Sequence, residues 1–175
     1  GDKPMKISML INGERTDARD GATFERRNPL DGSVATIAPA ATTQDAVAAV
    51  DAAAEAFKTW STTGPGERRA LLMKASHALE AKAEAFAAAV AAETGASAIW
   101  AGFNVHLAAG MLVEAASLTT QISGEVIPSD VPGNLAMAVR QPAGVVLGIA
   151  PWNAPVILAV RAIATPPACG NTVVL

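Results

Sequence analysis

The chain is poor in cysteine, in net charge and in long apolar runs, and each shortage closes off a class of function. One cysteine, Cys169, among 175 residues leaves no internal disulfide framework and no two-cysteine metal site. His77 and His106 stand about thirty residues apart and build no set of ligands at metal spacing, so no metal centre is expected. Charged residues make up 17% of the chain and the net charge is −3, which gives no electrostatic footprint for nucleic acid. No uninterrupted apolar run reaches transmembrane length, and Gly1 to Asn12 carries no charged-then-apolar leader. A cytoplasmic protein without a membrane partner is the default expectation. Gly144 and Gly148 do not complete a G-x-G-x-x-G phosphate-binding turn. What the chain has in quantity is alanine. It carries much of the 51% hydrophobic content and the mean hydropathy of +0.31, and it favours helix at little entropic cost rather than marking a membrane span.

Turn and cap signals divide the chain into an opening β region, a helical middle and an α/β end. Asn12-Gly13 is a two-residue hairpin signal and Asp31-Gly32 a second turn, with mostly strand up to Ile37. Thr42 and Asp45 form a capping-box pattern, after which Val47, Val50, Ala54 and Phe57 fall on one helical face; that helix should end near Trp60. Gly64-Pro65-Gly66 breaks the chain. Leu72, Ala75, Leu79, Ala83, Phe86 and Val90 then trace an apolar stripe ending at Gly95, as one helix or two. From about Ser97 a further pattern sets Ile99, Phe103, Leu107 and Met111 four apart and stops before Gly124. Pro128, Pro132 and Gly133 punctuate Glu125 to Asn134, and Leu135 to Arg140 can be extended, which reads as a ribbon.

The most informative segment is Val145-Val146-Leu147-Gly148-Ile149-Ala150-Pro151-Trp152-Asn153-Ala154-Pro155. Its β-branched apolar start predicts a strand buried on both faces, as in a parallel sheet. Pro155 suits a first helical turn and Val156 to Ala164 continues as an apolar helix, with a return strand up to Leu175. Asn153 then either caps that helix or presents an amide donor at the crevice that open α/β sheets form beyond their strands' carboxyl ends. Glu80, Lys82 and Glu84 read as a solvated helix face.

At these residues the chain resembles the NAD(P)-dependent aldehyde dehydrogenases. Gly144 to Asn153 is similar to that family's strand leading into a Pro-Trp-Asn element, and Cys169 to Leu175 to its next strand. Met9 to Glu14 resembles its opening hairpin, Asn28 to Gly32 the following turn, and Ala56 to Trp60 before Glu67 to Leu72 keeps the family order. Gly95 to His106 is most similar to the branch acting on aromatic aldehydes such as salicylaldehyde. The resemblance implies an α/β fold: the amino-terminal part of a Rossmann-like parallel-sheet cofactor-binding domain with a preceding helical region and a β-ribbon arm. The implied divisions are 1–123 for the first strands and helices, 124–142 for an oligomerisation ribbon, and 143–175 for the first strand, helix, strand unit.

The resemblance also implies a chemistry. A thiolate adds to an aldehyde, the alkoxide is stabilised, hydride passes to NAD (NADP is not excluded), and water releases the acid. Asn153 matches the family's oxyanion donor, and a neutral amide suits that task because it donates without competing for protons. Ile149, Ala150, Pro151 and Trp152 fall where the family lines the cofactor, though Trp152 reads equally as a core residue shaping the turn. Ile157, Leu158 and Arg161 follow at helical spacing and match positions bordering the aldehyde tunnel. Arg161 on an apolar helix calls either for a phenolic or anionic substituent or for an ion pair. Trp100, Phe103, Asn104 and Leu107 can add an aromatic and amphipathic wall, or simply form helix core. The partners implied are a small aldehyde and further copies of the chain.

Cys169 is rejected as the nucleophile, because it sits at the start of a strand and on the side of the sheet opposite Asn153, too far for both to reach one carbonyl. A sheet ending on its second strand leaves an apolar edge, so the expectation is a longer protein whose catalytic cysteine and glutamate lie past Leu175. Two other readings stay open. One is an aldehyde dehydrogenase for an aliphatic or semialdehyde substrate, with Arg161 facing a carboxylate; the other is a non-catalytic interaction module, should the chain naturally end at Leu175.

Overall fold

A computed structural model describes residues 3–175. Short strands open the chain: β1 (Met5–Lys6), β2 (Met9–Ile11), β3 (Glu14–Thr16), β4 (Thr23–Arg27) and β5 (Val34–Pro39). β2 and β3 pair antiparallel across Asn12-Gly13, whose φ values of 52° and 79° are those a tight hairpin turn demands. β5 pairs antiparallel with β4 and parallel with β1. Four helices follow: α1 (Thr43–Trp60), α2 (Pro65–Glu80), α3 (Ala83–Thr94) and α4 (Ala98–Leu118). The ribbon β6 (Glu125–Ile127) and β7 (Ala136–Ala138) is antiparallel, and β8 (Val145–Leu147), α5 (Pro155–Ala168) and β9 (Thr172–Val174) form a unit in which β8 and β9 pair parallel.

The capping box at Thr42 forms as the sequence predicts: the Asp45 amide donates to the Thr42 hydroxyl at 3.2 Å, and the Thr42 amide donates back to the Asp45 carboxylate at 2.8 Å. The same carboxylate accepts from the Arg19 amide at 3.2 Å, tying the strand region to α1. The predicted apolar face of α1 is displaced. Val47 and Val50 are exposed, and the half-buried stripe is Ala49, Ala53, Phe57 and Trp60. Alanine on that stripe lets the helix backbone approach the sheet closely enough for the Thr172 hydroxyl to donate to the Ala53 carbonyl at 2.8 Å.

The stripe from Leu72 to Val90 resolves into two helices, broken at Ala81 and Lys82. Leu72, Leu79 and Val90 are buried, whereas Ala75 and Phe86 are exposed. α4 is the central core helix, packed against α2, α3 and α5. Its length and apolar composition would allow a membrane span, but Asn104, His106 and Glu114 interrupt it and its buried face meets other helices. The predicted four-residue stripe is not its buried face. Ile99 and Phe103 are exposed, and Ala101, Val105, Ala108, Ala109, Leu112, Ala115 and Ala116 are buried. Small side chains let helices pack closely, and here they let the buried Ser76 hydroxyl of α2 donate to the Ala109 carbonyl at 3.0 Å.

β8 is not buried on both faces. It has three residues, of which Val146 is half-buried while Val145 and Leu147 are exposed, since only β9 pairs with it among the described residues. Helix α5 runs four residues past the predicted Ala164 and includes Pro166 and Pro167 in its last turn. The unit depends on Gly148, where a Cβ would meet the Ala162 Cβ of α5 at 2.9 Å.

Candidate functional site

The site assembles where β8 ends. Gly148 extends the pairing with a 2.7 Å bond from its amide to the Val174 carbonyl, after which residues 149–153 leave the sheet and lead into α5. Ile149, Pro151, Trp152 and Asn153 are exposed and Ala150 is half-buried. Trp152 is 69% open to solvent within residues 3–175. Among the described residues, the amides of Ile149, Ala150, Trp152 and Asn153 donate to no backbone carbonyl. An open run of backbone at the carboxyl end of a parallel strand fits a nucleotide cofactor held by main-chain groups and apolar contact.

Asn153 does not cap α5. The cap position belongs to Ala154, at φ −141° and ψ 65° with no side-chain bond, and Pro155 opens the helix as expected. The loop turns one residue later than the capping pattern requires, and this leaves the Asn153 amide side chain without a partner among the described residues. The carbonyl of Asn153 accepts from Trp100 Nε1 at 3.4 Å, which brings the first turn of α4 beside the loop. Trp100 stacks on Phe103 with ring centroids 5.6 Å apart and planes at 28°. Both rings are partly open, at 41% and 47%.

The other sequence-predicted residues divide by burial. Arg161 is exposed, and no carboxylate lies within ion-pair distance of it among the described residues. Leu107 and Leu158 are half-buried. Ile157 packs inward at 5% exposure. Asn104 is fully buried one helical turn after Trp100, where its Nδ2 donates to the Trp100 carbonyl at 3.0 Å and its Oδ1 has no partner. It lies under the wall rather than on it.

Cys169 is half-buried in the C-cap of α5, its amide donating to the Thr165 and Pro166 carbonyls. At 1.5 Å per residue, helix α5 separates it from the Asn153 end by roughly 20 Å, which excludes a shared carbonyl. An open hollow beside the α1 N-terminus, lined by Arg19, Asp20, Thr42, Thr43 and Gln44, shares no residue with the β8 site; Arg19 there pairs with Asp45 at 3.8 Å.

One residue that positions the site was missed by sequence reasoning. Asn171 Oδ1 accepts from the Ala143 amide at 2.6 Å and the Gly144 amide at 3.0 Å, while its Nδ2 donates to the Pro166 carbonyl at 3.2 Å. It ties the end of α5 to the start of β8. The available signal was an amide directly after glycine and before a β-branched run.

A parallel strand, an exposed loop at its carboxyl end and a crossover helix define an α/β protein whose ligand site lies at the strand end. The chain belongs to the aldehyde dehydrogenase family, whose profile matches residues 16–175. A vanillin dehydrogenase from Pseudomonas fluorescens is 63% identical over 171 residues, covering 98% of this chain and 35% of the relative. A crystal structure of a salicylaldehyde dehydrogenase from Pseudomonas putida, complexed with salicylaldehyde, superposes with a TM-score of 0.94 at 51% identity, covering 97% of this chain and 35% of that one. An NAD-dependent benzaldehyde dehydrogenase from Corynebacterium glutamicum gives a TM-score of 0.89 at 32% identity, covering 94% and 36%. The chain thus spans about a third of the length of the relatives it matches.

Proposed function

We propose that the chain forms the oxyanion-donating and cofactor-lining part of an enzyme that oxidises an aromatic aldehyde, such as salicylaldehyde or vanillin, to its carboxylic acid. The observation that carries this reading is the Asn153 amide, exposed at the carboxyl end of β8 and left without an intramolecular partner among the described residues. When a thiolate adds to an aldehyde, negative charge collects on the former carbonyl oxygen. A fixed neutral donor there lowers the barrier and takes no proton from the reaction. The thiolate belongs to a cysteine outside residues 1–175, because Cys169 sits at the far end of α5.

Ile149, Ala150, Pro151 and Trp152 would hold the cofactor, NAD or NADP, through main-chain groups and apolar contact, and the cofactor would supply the hydride acceptor. Trp100 and Phe103 offer the aromatic wall, with Leu107, Ile157 and Leu158 as its apolar backing. Asn104 supports that wall from below. Arg161, exposed and with no carboxylate at ion-pair distance among the described residues, is the group that meets a phenolic oxygen on the substrate. The same arginine supports the second reading, a carboxylate-bearing semialdehyde. The exposed apolar residues of the 124–142 ribbon, with Val126 at 72% and Met137 at 57%, support its role as a contact between copies in a cytoplasmic homo-oligomer, between the divisions 1–123 and 143–175.

The test is NAD(P)H formation by the purified full-length protein with salicylaldehyde, vanillin, benzaldehyde and succinic semialdehyde. The expected result is a kcat/KM for the aromatic aldehydes at least about tenfold above that for the semialdehyde, the scale of a single good recognition contact. The reverse ranking selects the second reading, and turnover of none of them removes both.

A further inference from the structure

The loop that carries Asn153 has little of its own to hold it. Its amides from Ile149 to Asn153 donate to no backbone carbonyl among the described residues, and Ala154 caps α5 without a side-chain bond. A hydrogen bond that reaches it from a distant element is the Trp100 indole N–H on the Asn153 carbonyl, at 3.4 Å and 53 residues away in sequence. Trp100 is itself braced twice. Its ring stacks on Phe103, and its carbonyl takes a 3.0 Å bond from the side chain of the fully buried Asn104. Asn104 brings an Oδ1 with no partner into the core, a destabilising feature that an apolar residue would avoid.

We propose that Trp100 is a positioning residue: its indole N–H fixes the Asn153 carbonyl, and with it the orientation of the Asn153 amide, while Asn104 steadies the helical turn from which Trp100 projects. The proposal rests on reading Asn153 as the oxyanion donor. A donor must be aimed before charge develops, because a group that has to reorient during the reaction returns part of its benefit. Trp100 is 41% exposed, so burial holds the ring only in part, and the stacking on Phe103 together with the bond to the Asn153 carbonyl fixes the rest.

The test is a double-mutant cycle in the full-length enzyme with benzaldehyde, which has no hydroxyl for Arg161. Trp100→Phe keeps an aromatic ring to stack on Phe103 and removes the N–H. The expected result is a fall in kcat of about five- to tenfold, the scale of one hydrogen bond, with the aldehyde KM changed less than about threefold. In an Asn153→Ala background the same substitution should change kcat less than about twofold, because there is no amide left to aim. Replacing Trp100 by 3-benzothienylalanine, which substitutes sulfur for the N–H in a ring of nearly the same shape, should reproduce the kcat loss and guards against misfolding of the Phe variant. A rise in KM at unchanged kcat makes Trp100 a substrate wall only and overturns the proposal. Full additivity with a damaging Asn153→Ala overturns it as well, while leaving the oxyanion reading intact. An Asn153→Ala that is itself harmless removes both.

Discussion

Along α4, apolar side chains are used in two opposite ways. From Ala101 to Ala116 the buried positions are mostly alanine, packed against α2, α3 and α5, whereas the large residues of the first turns, Ile99, Trp100 and Phe103, are 87%, 41% and 47% exposed. The buried half is spent on close helix contact, in which a small side chain is an advantage because the backbones can approach. The exposed half contributes little to folding, since area left in water gains nothing from the hydrophobic effect. Through Trp100 it stands instead beside the loop that carries Asn153, whose side-chain amide has no intramolecular partner among the described residues. The division separates a buried packing face from an exposed aromatic end within a single helix, and substitutions at its two ends should have unlike effects on stability.

The largest expected effect on stability lies in the buried half. Leu112→Ala, in the core between helices, should destabilise by about 2–5 kcal/mol in urea unfolding, the range for a buried leucine that leaves a cavity. A cost below about 1 kcal/mol would mean that α4 is not the centre of the core.

Next comes recognition midway along the crossover helix α5. Arg161→Met should weaken transition-state binding of salicylaldehyde relative to benzaldehyde by about 1.5–3 kcal/mol, because only the hydroxylated ring loses a hydrogen bond to a charged group. The ratio of the two kcat/KM values in wild type and variant isolates that term, and general damage to the fold cancels. An unchanged ratio returns Arg161 to the solvent.

A smaller effect is expected at the α1 cap. Thr42→Ala should cost about 0.5–2 kcal/mol by the usual worth of an N-cap hydroxyl. The Thr42 backbone amide, then its hydroxyl, hold the Asp45 carboxyl below its ordinary value of 3.8 against the opposing effect of desolvation, with help from Arg19. A depressed folded-state value means that the stabilisation is fully present above 3.8 and is lost as pH falls below it, through the folded value. Asp45→Asn should therefore be less stable than wild type near neutrality, and the gap should close in acid unfolding curves below pH 3.8. A gap that stays constant with pH would show that the carboxylate charge is irrelevant.

The smallest effect contrasts directly with Leu112. Ile99→Ala, on the same helix and 87% exposed, should change stability by no more than about 0.5 kcal/mol. A loss comparable to that of Leu112→Ala would erase the distinction between the two ends.

Local chemistry made much of this legible from sequence. The Thr42 box, the Asn12-Gly13 hairpin, the helix start at Pro155 and the strand, helix, strand unit all follow from residues that fix dihedrals or bonds within a few positions. Packing was read less well, for one reason in both helices concerned. The apolar stripes on α1 and α4 were drawn through the largest side chains, and the buried faces run through alanines instead, because periodicity gives the spacing of a face but not the distance to its neighbour. Asn153 is marked in the sequence by its place after a strand, and its capping alternative is removed only in three dimensions, where Ala154 takes the cap. Asn104 and Asn171 show the same limit: what a buried amide bonds to depends on elements far away in sequence.

The central claim is that the exposed Asn153 amide stabilises charge that exists only in the transition state. The direct measurement is steady-state kinetics of Asn153→Ala in the full-length enzyme with an aromatic aldehyde, together with a cofactor binding titration. The account predicts a fall in kcat of about 10²–10³ with cofactor affinity nearly unchanged. A fall smaller than about threefold, or a loss explained wholly by weaker cofactor binding, would contradict it.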